Sequence, residues 1–263
     1  VSTAASTPLE DIQEAAQGNA WFQLYYTADR RASEHLLNRA EASGYDVLVL
    51  TVDVPEVGKR PRELRHGFKM PFKIGPRQFI DFALHPHWSI STLLAGAPGL
   101  ANFNGDQVQF DRSASRAGAD WDYLKELRGR WKGKLVVKGV LDVEDAKKLK
   151  KLGVDAIQVS SHGGRQLDSA VPPIEALKNI REAVGSDFSL FFDSGIRSGE
   201  DIVKARAMGA NFVFLGRPFQ FSVAAGGERG LADLGAMLSE EISQTLAMLG
   251  LTSVDAISSA ALG

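Results

Sequence analysis

Short apolar runs alternate with amphipathic segments along most of the chain. Strands that a parallel sheet covers on both faces are typically almost wholly apolar, as several of these runs are. We predict six strands, over residues 20–25, 47–52, 135–138, 154–159, 188–192 and 212–215. Helical spacing follows most of them, over residues 31–42, 143–152, 173–183, 199–208 and 231–249. This alternation predicts an α/β fold built on a parallel sheet.

A polar or glycine-rich turn closes every one of the six predicted strands. The residues at these turns are Gln23/Tyr25, Thr51/Asp53, Lys138, Ser160/His162, Asp193/Gly195 and Gly216/Arg217. Reactive side chains at the carboxyl ends of parallel strands are typical of a TIM (β/α)8 barrel. A doubly wound open sheet is the alternative, but no Gly-x-Gly-x-x-Gly follows the first strand. A complete barrel has eight strands, and six are predicted here. We therefore predict a barrel that lacks its first one to two strands, and we interpret residues 1–3 as the remnant of a further strand.

The interval from about 61 to 121 breaks the alternation. It contains five prolines and a mixture of aromatic and charged residues, and residues 79–94 are predicted to form short helices with an exposed apolar side. An insertion of this length between barrel strands is more often a lid or a docking element than filler. We therefore treat residues 1–263 as one barrel domain with a long insertion after the Thr51/Asp53 strand.

Composition limits the classes of function. The formal charge of −2 provides no basic field for nucleic acid, and the absence of cysteine excludes disulfides, a thiol nucleophile and Cys-ligated metal. The first residues do not resemble a signal peptide, and no apolar stretch approaches the roughly 18 residues of a spanning helix. These features predict a cytoplasmic protein.

The segment 160–168 follows a buried strand and contains a histidine, two glycines and an arginine. His162 can take a proton near neutral pH, and Arg165 can bind a carboxylate through two parallel hydrogen bonds. A solvated surface loop is the alternative interpretation. Asp53 is a candidate partner that orients His162, and Arg60 is a candidate second arm of the clamp. A base beside an anion clamp predicts an enzyme that acts on a small acid.

Two consecutive strand-to-helix turns, 193–199 and 215–218, each contain glycine and arginine. Backbone N–H groups at a helix N-terminus together with an arginine can hold a phosphate, and barrels often build such a site after their last strands. Lys138, at the end of its strand, is expected to point into the barrel mouth, where a fixed cation suits a reduced flavin. The His85-Pro86-His87 segment is interpreted as structural, so we predict no metal site.

Together these motifs resemble the FMN-dependent α-hydroxy-acid oxidases and dehydrogenases, the family of glycolate oxidase, L-lactate dehydrogenase and mandelate dehydrogenase. The resemblance implies oxidation of a lactate-like or mandelate-like L-2-hydroxy acid to the 2-oxo acid, with flavin N5 as the hydride or electron acceptor. It implies His162 as the base, oriented by Asp53, with Tyr25, Arg60 and Arg165 binding the substrate. The residues that it implies for FMN binding are Ser2, Gln23, Thr51, Lys138, Ser160, Asp193, Gly195, Arg197, Gly216 and Arg217.

The same resemblance implies partners beyond the substrate. The electron acceptor is left open among a quinone, a cytochrome and oxygen, and a homotetramer is expected. The insertion, over about residues 71–104, implies peripheral contact with a membrane. Two other interpretations stay open from the sequence: an inactive or truncated barrel fragment with weak flavin binding, and a flavin-free phosphate-binding barrel enzyme.

Overall fold

The computed structural model describes residues 1–27, 29–58, 65–67, 74–96, 98–103 and 114–258. Within these ranges six parallel strands form one sheet. The strands are β1 (Phe22–Tyr25), β2 (Val47–Thr51), β3 (Lys134–Val140), β4 (Ala156–Val159), β5 (Ser189–Phe192) and β6 (Phe212–Val213). Each lies where the apolar runs predict it, although β6 is shorter than expected.

The helices of the described residues lie between and beside these strands. They are α1 (Leu9–Ala15), α2 (Arg30–Ala42), α3 (Pro76–Leu84), α4 (Pro86–Ala95), α5 (Trp121–Arg130), α6 (Val143–Lys151), α7 (Pro173–Val184), α8 (Gly199–Ala207) and α9 (Arg217–Met248). Side-chain caps fix several of their starts: Asp29, Asp142 and Ser198 accept hydrogen bonds from backbone N–H groups in the first turns of α2, α6 and α8.

The last helix begins earlier than the sequence predicts. The expected start was about residue 231, but α9 begins at Arg217 and continues through a break at Gly227, where φ is 57°. Pro218 is compatible with this start because the first N–H groups of a helix have no partner within the helix. The glycines at 226 and 227 interrupt the helical pattern in the sequence, which hides the first half of α9.

The order of the strands distinguishes the barrel from the doubly wound alternative. Each strand pairs with the next along the chain, from β1 to β6, without the reversal that a doubly wound sheet contains. The sheet is curved, since the Trp21 ring before β1 lies 5.5 Å from the Phe191 ring on β5 and 5.6 Å from the Phe214 ring after β6. Ser2 forms a parallel bridge with Gln23, so the stub predicted at residues 1–3 is confirmed.

Apolar side chains cover both faces of the sheet. Alternate residues such as Leu48, Leu135 and Ile157 pack with the helices in the larger core cluster. On the concave face, Val49 and Val136 belong to a smaller cluster. The sheet is therefore buried on both sides, and its polar side chains concentrate at the carboxyl ends of the strands.

The opposite end of the sheet is held by ionic contacts. Asp155, just before β4, accepts hydrogen bonds from Arg128 Nη1 at 2.8 Å, Lys134 Nζ at 3.0 Å and the Leu135 N–H at 2.9 Å. Burial alone would raise the pKa of Asp155, but these donors outweigh it and hold the pKa below its usual value. This carboxylate links α5 to β3 and β4 at the amino ends of the strands, opposite their carboxyl ends.

The described part of the insertion forms the predicted short helices. Neither α3 nor α4 has a buried residue, and their apolar side chains face outward, with Leu93 and Leu94 each 83% exposed. No helix among the described residues is long and apolar enough to cross a membrane.

Candidate active site

His162 lies in a left-handed turn directly after β4, here called the His162 turn (residues 161–164). Three successive residues have positive φ: His162 at 56°, Gly163 at 66° and Gly164 at 72°. The two glycines adopt this conformation readily, whereas it is uncommon for a histidine. The turn lifts the imidazole from the buried strand to the cavity at the carboxyl end of the sheet, where the His162 side chain is 20% exposed.

The imidazole has a carboxylate on one nitrogen and a phenol near the other. His162 Nδ1 is hydrogen-bonded to Asp53 Oδ1 at 2.9 Å, and His162 Nε2 lies 3.5 Å from the Tyr25 hydroxyl. A carboxylate on Nδ1 keeps the proton there, which fixes the tautomer in which Nε2 is the basic nitrogen. The structure therefore brings together three of the predicted residues, one from β1 and one each from the turns after β2 and β4.

Gly139, which is not among the residues predicted from the sequence, makes room for Asp53. Its φ is 103°, and a Cβ at this position would lie 2.5 Å from the Asp53 Cβ. The available signal was a glycine inside a strand pattern, which often marks the close approach of another group.

Lys138 lies between two carboxylates. Its Nζ donates to Ser160 Oγ at 2.8 Å and lies 3.4 Å from Asp193 Oδ2 and 3.8 Å from Asp53 Oδ2. Asp53 Oδ2 is buried and accepts no hydrogen bond from the residues that the structure describes. The ammonium lies within 4 Å of both carboxylates, so its attraction favours keeping the side chains that follow β2 and β5 together at this end of the sheet.

Asp193 collects hydrogen bonds from three side chains. Ser160 Oγ and Ser194 Oγ each donate to its Oδ1 at 2.7 Å, and Gln158 Nε2 donates to its Oδ2. Gln158 and Ser194 are two further residues of the site that are not among those predicted from the sequence. Gln158 sits in an apolar strand, and Ser194 has φ of 87°, a conformation that the sequence does not reveal for a serine.

A row of hydrogen-bonded polar side chains connects residue 2 with β1 and β2. Ser2 Oγ donates to Gln23 Oε1 at 3.1 Å, and Gln23 Nε2 donates to Thr51 Oγ1 at 2.9 Å. These hydrogen bonds join three of the residues predicted to surround the flavin ring. Thr51 itself is buried, and its hydroxyl accepts from the Gln23 amide.

A cavity of about 480 Å³ lies at the carboxyl ends of β3 to β6. Of the predicted site residues, those that line it are Lys138, His162, Arg165, Asp193, Gly195, Arg197, Gly216 and Arg217. The remaining described ones, Tyr25, Asp53, Ser160, Gln23, Thr51 and Ser2, lie behind or beside this lining, linked by the contacts given above. Arg60 lies outside the described residues.

The two predicted phosphate turns meet at one side of this cavity. Apart from the adjacent residues, no atom of the described residues lies within 4 Å of the position that a Cβ would take at Gly195 or at Gly216, so both turns leave open space. Arg197 and Arg217 line the same cavity, and Arg217 Nη2 donates to the Gly163 carbonyl at 2.8 Å. Two arginines and two open glycine turns fit a phosphate, while the Lys138 and Gln23 groups offer polar partners for a flavin ring. No group of three or more His, Asp or Glu side chains in the described part of the chain could hold a metal ion.

Residues 1–263 match the family described as FMN-dependent dehydrogenase. The chain belongs to this family. It is 38% identical over 260 residues to the L-lactate dehydrogenase of Bartonella tribocorum, covering 95% of this chain and 68% of that protein. It is also 38% identical over 265 residues to the (S)-mandelate dehydrogenase of Pseudomonas putida, covering 98% of this chain and 67% of that protein.

Solved structures give the same result. The monotopic membrane protein (S)-mandelate dehydrogenase has a TM-score of 0.90 at 38% identity, covering 98% of this chain and 70% of that one. Mandelate oxidase with benzoyl-formic acid has a TM-score of 0.78 at 37% identity, covering 98% and 66%. These matches confirm the predicted family, the TIM-barrel fold, the enzyme class and FMN as cofactor. The chain spans about two thirds of its relatives' length. The matches do not favour the two alternatives, an inactive fragment with weak flavin binding and a flavin-free phosphate-binding enzyme.

Proposed function

We propose that this chain, with FMN bound, oxidises a lactate-like or mandelate-like L-2-hydroxy acid to the 2-oxo acid. The observation that carries the proposal is the His162–Asp53 pair, with Nδ1 to Oδ1 at 2.9 Å, at the mouth of a cavity that also contains Arg165 and Lys138. Relatives at 38% identity are named L-lactate dehydrogenase and (S)-mandelate dehydrogenase, which supports this class of substrate.

His162 serves as the base. Its Nε2 takes the proton that leaves the substrate, and the Asp53 carboxylate on Nδ1 stabilises the imidazolium that results. The Tyr25 hydroxyl, 3.5 Å from Nε2, orients the substrate's hydroxyl or carboxylate at this position. Arg165 holds the carboxylate by paired hydrogen bonds, and Arg60 is the proposed second arm of that clamp.

FMN, when bound, supplies the acceptor for the two electrons. Lys138, Gln23, Thr51, Ser2 and Ser160 are the residues proposed to surround its ring. Lys138 holds a positive charge at this end of the sheet, which stabilises negative charge that develops on reduction. Asp193 is proposed to bind the ribityl chain, and the phosphate is assigned to the two glycine–arginine turns, through Gly195, Arg197, Gly216 and Arg217.

The substrate class is tested by flavin absorbance without oxygen. The FMN-loaded chain is mixed with a panel of 2-hydroxy acids that includes both enantiomers of lactate and of mandelate. We expect the flavin absorbance to bleach with the L enantiomers and to stay with the D enantiomers. A flavin-loaded chain that no member of the panel bleaches would refute the proposal. Repeating the assay with a quinone, a cytochrome or oxygen then identifies the acceptor.

The exposed apolar side chains of α3 and α4 are proposed to dock on a membrane surface. Leu93 and Leu94 are each 83% exposed and Leu84 is 72% exposed, and a relative is described as a monotopic membrane protein. Burial of a leucine side chain contributes about 1.5–3 kcal/mol, so replacing two of them by glutamate is expected to weaken binding at least about tenfold.

Sedimentation with vesicles of phosphatidylethanolamine and phosphatidylglycerol in equal parts tests this docking. The double variant Leu93→Glu/Leu94→Glu is compared with Met248→Glu, an equally exposed apolar residue at the end of α9. Equal sedimentation of the two variants would count against the proposal. The homotetramer and the cytoplasmic location stay predictions, and light scattering of the purified chain tests the former.

A further inference from the structure

Two serine hydroxyls hold the backbone of the His162 turn. Ser194 Oγ accepts from the N–H groups of Ser161 at 3.1 Å and Gly163 at 3.0 Å. Ser160 Oγ accepts from the N–H of His162 at 3.0 Å. Both hydroxyls donate to the same carboxylate oxygen, Asp193 Oδ1. Three successive N–H groups are thereby tied to the ends of β4 and β5.

The Ser194 hydroxyl is fully used by these contacts. A hydroxyl has one donor and two acceptor sites, and here the donor goes to Asp193 and both acceptor sites receive N–H groups of the turn. The serine also has φ of 87°. This conformation is energetically unfavourable for a residue with a side chain and is not so for glycine. Gly195, the next residue, has a similar φ of 94° without that cost. The residue type at 194 is therefore explained by the contacts of its hydroxyl rather than by the backbone.

We propose that Ser194 is a positioning residue for His162. Asp53 follows the end of β2 and packs against Gly139, so this part of its support is separate from the His162 turn. The position of the His162 imidazole in the 2.9 Å contact depends on the His162 turn. Two N–H groups of this turn lose their acceptor when the Ser194 hydroxyl is removed. A displacement of about 1 Å in a catalytic group can cost about 10²-fold in rate. The inference rests on the proposed function in that it takes His162 as the base.

Two substitutions separate the hydroxyl from the backbone conformation. Ser194→Ala removes the hydroxyl but keeps the unfavourable conformational energy of a side chain at positive φ. Ser194→Gly removes both the hydroxyl and that unfavourable energy. Ser43→Ala is the matched control, because this serine also bonds backbone through its hydroxyl, which donates to the Arg39 carbonyl at 2.8 Å, but it lies at the end of α2, before β2 begins. All three variants are loaded with FMN and compared with the unmodified chain.

Three measurements are made on each variant: kcat and KM for flavin-dependent oxidation, unfolding by urea, and the NMR resonance of the His162 Nδ1 proton. We expect both Ser194 variants to lose about 10- to 100-fold in kcat with KM changed by less than about threefold. Their Nδ1 proton resonance is expected to shift or broaden, and Ser194→Gly is expected to resist urea at least as well as Ser194→Ala. Ser43→Ala is expected to lose resistance to urea while its kcat and its Nδ1 resonance stay unchanged.

The outcomes distinguish this inference from the proposed function. An unmodified chain that oxidises no 2-hydroxy acid overturns the proposed function, and the Nδ1 resonance then decides the role of Ser194 alone. An active chain whose Ser194→Gly variant keeps kcat within about threefold overturns the inference only. A fall in kcat with an unchanged Nδ1 resonance also overturns it, because Ser194 would then act without moving His162.

Discussion

Replacing Asp53 by asparagine tests the electrostatic role of the carboxylate behind His162. The substitution keeps the shape of the side chain and removes its charge. When His162 takes a proton, the imidazolium gains the attraction of a carboxylate whose Oδ1 lies 2.9 Å from Nδ1. Asparagine cannot provide this attraction, and its amide group can also bind the opposite tautomer.

The size of the effect follows from the geometry. Opposite unit charges about 4 Å apart attract by about 4 kcal/mol at an effective dielectric constant of about 20. The side chains of His162 and Asp53 are 20% and 11% exposed, so solvent screens part of this energy. A remaining loss of about 3 kcal/mol corresponds to a rate lower by about 10²-fold.

The assay is anaerobic stopped-flow reduction of the FMN-loaded chain by its best 2-hydroxy acid. We expect the limiting rate of Asp53→Asn to fall by about 10²-fold, with substrate affinity equal or higher because the site becomes more positive by one charge. Asp122→Asn is the control, since the Asp122 side chain is 89% exposed and forms a surface ion pair with Lys125. A limiting rate within about threefold of the unmodified chain would refute the reasoning.

Two further predictions address the support of the site and the opposite end of the sheet. Gly139→Ala is expected to displace Asp53 and lower flavin reduction by about tenfold or more, whereas Gly153→Ala, also at positive φ but in open space, leaves the rate unchanged in the same assay. Asp155→Asn is expected to lower the free energy of unfolding at pH 7 by about 1.5–3 kcal/mol in urea titrations. Because the pKa of Asp155 is lowered in the folded chain, this contribution is present above about pH 4 and is lost as pH falls through the lowered pKa. A difference from the unmodified chain that persists unchanged at low pH would contradict this assignment.

The sheet could be predicted from the sequence because its strands are short apolar runs that end in polar turns. The same rule placed Lys138, His162 and Asp193 at one end of the sheet, since parallel strands share that end. Helix α5 was not predicted because its segment directly follows the irregular insertion. The start of α9 was missed because glycines interrupt its pattern.

The positioning groups could not be predicted in the same way. The role of Gly139 is visible only from its distance to Asp53, a residue far away in the sequence. The role of Ser194 is visible only from its positive φ and the contacts of its hydroxyl. Gln158 looked like a polar interruption of an apolar strand, but its amide reaches Asp193 on the neighbouring strand. Such roles depend on packing between strands rather than on the pattern within one strand.

The rate of flavin reduction in the His162→Ala variant tests the role of the base most directly. The FMN-loaded variant and the unmodified chain are reduced by the same L-2-hydroxy acid without oxygen, and single-turnover bleaching is followed. We predict a rate lower by about 10²–10⁴-fold or more, with FMN still bound, because a positioned base contributes about that factor. Bleaching of the variant at the normal rate would contradict the assignment of His162 as the base.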